Sequence, residues 1–553
     1  MPIARQLAVA SLGLAALATT SCPATRAQSG AEHASTMTAV TRAGAEAASR
    51  LVSRRGLFEP DIGALGKDAR GDWPAPTPDQ VAELEREVVP AAMTEPLSVD
   101  PAAQPKPPPA FSLARIDPDR ALASIARETY VMLRPSWQSK KIGYLRAGAV
   151  VSRSAKPVGN RGCEGGWYEI SPEGYVCVGK TATLDLSHPI AVAARRGPDR
   201  SAPMPYEYGM ARFPTPPFYT KVPTEREQRQ VEQELAKHLS LSQTKEWDGV
   251  VLGPIPEMLE DGAPAFTWGG VRHSPGSVYT GRAMVKSGFA FLSFFESQGR
   301  AFGLSVDLDV MPLDRMKRVT PSEFEGLALS GDASLPVVFV RARGARLYQG
   351  DPRSKISVGR ELGYREAIAV KSKRLRVGGV TWLETQGGDW IRDENLVRVD
   401  PMKKKPGWAT PGRTWIEVSI LHQTLVAYEG DKAVYVTLVS TGADGLGDPK
   451  ETHSTVRGQF LIHTKHVTAT MSGDEVGDEF DLRDVPYVQY FTEGYALHAA
   501  YWHDSFGKPR SHGCINLSPR DARWLFSWTD PPVPEGWHGA MSLRDGTLVY
   551  IHP

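Results

Sequence analysis

Two neighbouring stretches near the end of the chain decide the reading: Tyr495-Ala496-Leu497-His498-Ala499-Ala500-Tyr501-Trp502-His503-Asp504 and Ser511-His512-Gly513-Cys514-Ile515-Asn516-Leu517. The first reads as a short strand that carries a histidine, and the second sets a lone thiol directly after a glycine. Ser518 can cap a helix, Pro519 suits its first turn and Asp521 stands three residues past the cap, so a helix is expected right after Leu517. Cys514 is therefore expected just ahead of helix-start amides, whose dipole favours a thiolate, with a histidine nearby to accept the proton. Gly513 lets the chain approach an attacked carbonyl, and the backbone N–H groups of Gly513 and Cys514 are the expected oxyanion donors. Taken singly, Cys514 also reads as a buried structural thiol and His498 as a satisfied strand-end histidine. His498, His503, His512 and Cys514 have donor atoms that suit zinc, but their spacing follows no standard zinc pattern, and neither metal nor cofactor is expected. Asp504 reads as a loop residue, whereas Lys508 and Arg510 read either as contacts to substrate carboxylates or as solvated charges.

Upstream, strand-like runs at Trp415-Ile416-Glu417-Val418-Ser419-Ile420, Thr424-Leu425-Val426-Ala427-Tyr428 and Ala433-Val434-Tyr435-Val436-Thr437-Leu438-Val439 define a mostly β domain over 412–553. The combination of Ser511-His512-Gly513-Cys514-Ile515-Asn516 with an upstream strand histidine resembles the YkuD-type L,D-transpeptidase catalytic domain of bacterial peptidoglycan enzymes. Val439-Ser440-Thr441-Gly442, Gly458-Gln459-Phe460 and Tyr495-Ala496-Leu497-His498 extend that resemblance over about residues 412–552. It implies that Cys514 is the nucleophile, His498 the proton acceptor and donor, and Gly513 with Cys514 the oxyanion-hole backbone. It also implies that the Ala499 carbonyl orients the His498 ring, that His512 supports the turn or the oxyanion site, and that Ser511 holds the loop by hydrogen bonds. The implied partners are peptidoglycan stem peptides: a donor cut before its terminal D-alanine through a cysteine thioester, and an amine acceptor from a second stem. With water as acceptor the same site would be an L,D-carboxypeptidase, and an inert cell-wall-binding scaffold is the alternative from another class. Three positions depart from the family pattern: the short gap between His498 and Ser511, Ala499 where Gly or Ser is common, and Val456 where a Pro often precedes the Gly458 turn.

The whole chain has 553 residues, which at roughly 150 per domain gives three or four domains. With 64 Lys+Arg against 63 Asp+Glu and a net charge of +1, a general nucleic-acid surface is not supported. The one long apolar run is N-terminal and too short to span a bilayer. Arg5, the Ala/Leu stretch Leu7 to Ala18 and the small residues after it read as a signal peptide over 1–22, so the protein is expected in the periplasm or cell envelope. Thr19-Thr20-Ser21-Cys22 resembles a lipoprotein cleavage site with Cys22 as the lipidated residue, although Thr19 stands where an aliphatic residue is usual; cleavage after Ala27 is the alternative. Such an anchor at Cys22 is the one expected membrane contact.

Residues 23–118 read as an Ala/Pro-rich linker, stiffened at Pro105, Pro107, Pro108 and Pro109, with a short helix signalled at Thr77-Pro78-Asp79-Gln80. Residues 119–185 read as a small β-barrel. Cys163 and Cys177 flank its hairpin-like Gly165 to Val176, so a disulfide is expected, which would stabilise by about 3 kcal/mol in the loop-entropy model and leave Cys514 as an unpaired thiol. Trp167-Tyr168-Glu169 before Tyr175-Val176 is echoed by Trp382-Leu383-Glu384 before Trp390-Ile391, and both 119–185 and 336–400 resemble bacterial SH3-like domains. Residues 186–335 read as an unassigned α+β region, with a helix at Glu225 to Leu239 and strands at Phe289 to Phe295 and Gly303 to Val310. Lys403-Lys404-Lys405-Pro406-Gly407 marks a linker over 401–411.

Overall fold

The computed structural model describes residues 116–241, 245–261, 277–331, 333–473, 480–542 and 545–553. The signal peptide, Cys22, the Thr77 helix and nearly all of the 23–118 linker lie outside these residues. The described chain is mostly β, in four sheets. Among the described residues no helix is long and apolar enough to cross a membrane.

The C-terminal domain is a sandwich. One wall is six-stranded, in the order Leu327–Ala328, Lys432–Leu438, Thr424–Glu429, Thr414–Ser419, Leu548–His552, Gly458–Leu461. The second wall contains Thr464–Gly473, Phe480–Thr492, Tyr495–Ala499, Ile515–Leu517 and Gly539–Met541. Alternating apolar side chains from both walls meet between them, including Ile416, Val418, Leu425, Leu497, Ile515 and Leu517. The helix Pro519–Trp528 adds Ala522, Leu525 and Phe526 to this core, and Ser518 caps it by accepting the Asp521 N–H at 3.1 Å.

The second wall does not stop at the domain edge. It belongs to a 17-stranded sheet in which Gly143 and Tyr144 pair with Ala540 and Gly539, and Gly288 pairs with Leu482. A largely covered guanidinium reinforces the join: Arg146 reaches Asp307 and Asp484 at 2.8 Å each. The strand Leu327–Ala328 likewise pairs with Lys432–Leu438. The sheets thus run through the boundaries expected near 185, 335 and 411.

The expected barrels do not close among the described residues. Strands of 119–185 divide between a three-stranded sheet and the large sheet. Residues 336–400 form a seven-stranded sheet with Lys355–Glu361 at one end and Leu396–Val399 at the other. Hairpin patterns in sequence specify local pairing, whereas closure depends on stagger and tilt accumulated over the whole sheet. Cys163 and Cys177 are joined by a disulfide with Cα atoms 5.7 Å apart.

In the central region the expected helix is broken into Glu225–Val231 and Leu235–Leu241. A capping box between Thr224 and Glu227 starts the first piece. Between the pieces, Glu232 is buried and ion-paired to Arg300 and Arg315, and Glu234 takes a positive φ of 51°. The expected strand 303–310 is divided by a turn at Leu308, whose φ is 69°. The 401–411 segment is tied down: Lys405 Nζ donates to the Asp431 carbonyl at 2.8 Å, and the Trp408 ring meets Trp415 edge-on at 5.2 Å.

Candidate active site

Parallel pairing brings the two sequence stretches together. Tyr495–Ala499 lies beside Ile515–Leu517, with Leu497 opposite Ile515, His498 opposite Asn516 and Ala499 opposite Leu517. Strand residues two apart share a face, so Cys514, two before Asn516, falls beside Ala496 on the face that carries His498. The Ala496 N–H points at the Cys514 sulfur, and the thiol contacts the Gly494 carbonyl at 3.7 Å. His498 is buried, and its Nδ1 lies 3.1 Å from the Ala499 carbonyl. A carbonyl only accepts, so the ring hydrogen sits on Nδ1 and the Nε2 lone pair is left for a proton. Among the described residues no hydrogen bond joins the sulfur to the imidazole.

The turn that carries Cys514 is held from several sides. Ser511 Oγ accepts the Gly513 N–H at 3.1 Å and donates to the Cys514 carbonyl. Thr455 Oγ1 donates to the Gly513 carbonyl at 2.8 Å while accepting the Gly442 N–H at 2.9 Å. Gly513 has φ +123°, and a Cβ there would lie 2.6 Å from the Tyr495 ring, so only glycine fits. Its N–H, expected as a free oxyanion donor, is instead committed to Ser511. The Cys514 N–H has no partner among the described residues and is the donor that remains.

Burial sets the charges. It pushes the Cys514 thiol up to about 11, only partly offset by the Ala496 N–H. Burial also lowers His498 to about 4, against the raising effect of its bond to Ala499. Both shifts favour the neutral forms, thiol and imidazole, over the thiolate that the sequence leads one to expect. The strand Ile515–Leu517 separates Cys514 from the helix that begins at Pro519, and at about 3.3 Å per residue the distance exceeds 10 Å, beyond the first turn over which the dipole acts.

Residues 413–551 match the profile of the YkuD family, described as the L,D-transpeptidase catalytic domain. This segment is an L,D-transpeptidase catalytic domain. The Bacillus subtilis (strain 168) protein YciB, whose name assigns it provisionally to the L,D-transpeptidases, is 26% identical over 138 residues, 20% of this chain. The match spans 59% of that relative's length. Among solved structures, the catalytic domain of Enterococcus faecium L,D-transpeptidase is 24% identical, with 25% of this chain and 97% of that one covered and a TM-score of 0.20. L,D-transpeptidase 3 from Mycobacterium tuberculosis, in complex with a faropenem-derived adduct, is 19% identical, covering 34% and 79%, with a TM-score of 0.20.

Around the sulfur of this L,D-transpeptidase domain, the other expected residues take different places. His512 is exposed, its ring 4.6 Å from that of His453 and 4.8 Å from Phe480. Lys508 and Arg510 are both exposed on the loop that leads to Ser511. His503 accepts the Ser505 N–H on Nδ1 at 3.1 Å, and the Asn516 side-chain amide lies 3.0 Å from its Nε2. Burial lowers His503 to about 3, helped by the Arg510 charge. Asp504 points away to Arg365 and Ser322. Among the described residues no group of three or more His, Cys, Asp or Glu side chains is arranged to hold a metal.

Sequence reasoning missed Thr455, Asn516 and Tyr490. Burial and then the neighbouring Cys514 push the Tyr490 phenol up to about 12. Thr455 stands three residues before the quoted Gly458 turn, but nothing local announces that its hydroxyl reaches Gly513, 58 positions away.

Proposed function

We propose that the protein is an exported L,D-transpeptidase that cross-links peptidoglycan stem peptides through a thioester on Cys514. The observation that carries this reading is the parallel pairing that sets His498, with its Nε2 lone pair available, on the face of the sheet where Cys514 lies. Because both groups rest neutral, His498 acts as a general base during attack rather than as half of a standing ion pair. The sulfur adds to the carbonyl before the terminal D-alanine while Nε2 takes the thiol proton, and the Cys514 N–H donates to the developing oxyanion. Collapse breaks the C–N bond, and the imidazolium returns the proton to the leaving D-alanine amine. An amine of a second stem then attacks the thioester, passes a proton to His498, and the thiol is regenerated. Peptidoglycan stems in the cell envelope serve as donor and acceptor.

Intact-mass analysis after exposure to a carbapenem tests the cysteine chemistry, and stem-peptide mass analysis after incubation with peptidoglycan tests the outcome. We expect one covalent adduct, absent in Cys514→Ala at unchanged melting temperature, and dimeric stems as product. Trimmed monomers would make the enzyme a carboxypeptidase. Undiminished stem turnover by Cys514→Ala would refute the mechanism.

A further inference from the structure

We propose that Arg365, which lies in the seven-stranded sheet's region and outside the catalytic domain, is a positioning residue for the nucleophile turn. The inference rests on the reading of Cys514 as the nucleophile and adds a control on it that comes from a different part of the chain.

Arg365 is 9% exposed although it is a loop arginine, and its backbone takes a φ of 64°, a conformation that L residues rarely adopt. Such an outlier persists only where the surroundings over-determine it. Here they do. The Arg365 N–H donates to the Val340 carbonyl at 2.7 Å, and the guanidinium lies over the Phe324, Tyr364 and Phe506 rings at 4.8, 5.2 and 6.0 Å. It then forks onto one residue of the catalytic loop: Nη2 to Asp504 Oδ2 at 2.7 Å and Nη1 to the Asp504 carbonyl at 3.3 Å. Ser322 Oγ donates to the other carboxylate oxygen at 2.5 Å.

The grip matters because of what flanks Asp504. On one side is His503, whose ring is set by the Ser505 N–H and meets the Asn516 amide at 3.0 Å. Asn516 is two residues past Cys514, opposite His498, and its backbone exchanges two hydrogen bonds of 2.9 Å with Ser440. Ser440 Oγ in turn donates to the Ser505 carbonyl at 3.1 Å. The series Arg365, Asp504, His503, Asn516 is continuous through direct contacts, and it ends on the strand that presents the sulfur. Arg365 fixes both the side chain and the main chain of Asp504, so its loss frees the His503 ring from Asn516 and loosens the turn against His498. A planar fork is required for this, which a lysine ammonium does not supply.

The test uses the full chain carrying Asp504→Asn, Arg365→Gln, Arg365→Lys or the double Asp504→Asn/Arg365→Gln, with Arg346→Gln as a control on an exposed pair of the same sheet. Carbapenem acylation is followed by intact mass across reagent concentrations, and hydrogen exchange is read over 500–517. We expect each single variant to slow the saturating acylation rate roughly tenfold at an unchanged half-saturating concentration, with Lys no better than Gln. The double should be no slower than the worse single, Arg346→Gln should match the wild type, and exchange over 500–517 should rise while that of Thr414–Ser419 stays constant. Wild-type acylation rates in Asp504→Asn, or losses that add in the double, would overturn the proposal. If the wild type itself takes no carbapenem and makes no product from stems, the transpeptidase reading fails. The exchange data then decide the positioning role alone: unchanged exchange over 500–517 in Asp504→Asn overturns it, and faster exchange confined there supports it.

Discussion

The pH dependence of thiol reactivity is the sharpest consequence of the site's burial. With the Cys514 thiol pushed up to about 11 and His498 lowered to about 4, both first by burial, transferring the proton between them at rest is uphill by on the order of 10 kcal/mol. Attraction in a contact ion pair, at roughly 4 Å and an effective dielectric constant of about 20, returns about 4 kcal/mol. Several kcal/mol remain uphill, so the thiolate–imidazolium form is a minor species at rest. Alkylation of Cys514 by iodoacetamide, followed by peptide mass mapping, reports the thiolate directly. Its rate constant should climb about tenfold per pH unit between pH 6 and 9, without a plateau, because the titration lies above that window. His498→Gln should leave this profile within about threefold, since the imidazole does not hold a standing proton from the thiol, yet should slow carbapenem acylation by roughly 10²–10⁴ as the general base is lost. A rate that is flat from pH 6 to 8, or that collapses in His498→Gln, would show a preformed ion pair and refute the argument.

Two further expectations concern stability. Lys465 is fully buried and donates to the Phe526 and Thr529 carbonyls, both at 2.7 Å, and to Thr529 Oγ1 at 2.9 Å. Lys465→Met leaves the carbonyls at the end of the helix Pro519–Trp528 unpaired and should cost about 2–4 kcal/mol in urea unfolding. Burial lowers the Lys465 pKa from 10.5 to about 7, so the wild type should gain stability as pH rises through that interval, a slope the variant lacks. Asp309 is pushed up to about 7, first by burial and then by the Asp307 charge, with Arg483 at 3.7 Å offsetting part. Its ionisation costs stability above that pH, so Asp309→Asn should raise stability by about 1–2 kcal/mol at pH 8, with a gain that shrinks as pH falls from 7 towards 4. An equal effect at pH 8 and pH 4 would dismiss the charge as its cause.

Local patterns in the chain translated well into local structure. The strand runs starting at Trp415, Thr424 and Ala433 lie in Thr414–Ser419, Thr424–Glu429 and Lys432–Leu438, because runs of β-branched and aromatic residues bounded by turn residues are a property of neighbours in sequence. The helix after Leu517 begins where Ser518, Pro519 and Asp521 put it, since capping is a matter of three or four residues. Burial was harder to read, and the charge state of the thiol depends on it. The depth of Cys514 is set by the cluster that includes Tyr208, Leu292, Phe295 and Leu304, residues two to three hundred positions away. The strand between the nucleophile and the helix was equally invisible, because three residues are too few for any periodicity to register.

The amino-acid order alone singled out the groups proposed to carry the chemistry: an unpaired thiol beside a glycine, a strand histidine upstream, and a cap that ends the turn. These are short-range features, written within some 30 residues. Tertiary structure decided how those groups behave. It placed His498 opposite Asn516, turned its Nδ1 to Ala499, gave the Gly513 N–H to Ser511, buried His498 and left Cys514 only part-exposed, and brought Arg365 onto Asp504. The physical reason is that ionisation and positioning are set by desolvation and by contacts between segments distant in the chain, and neither is encoded in the spacing of nearby residues.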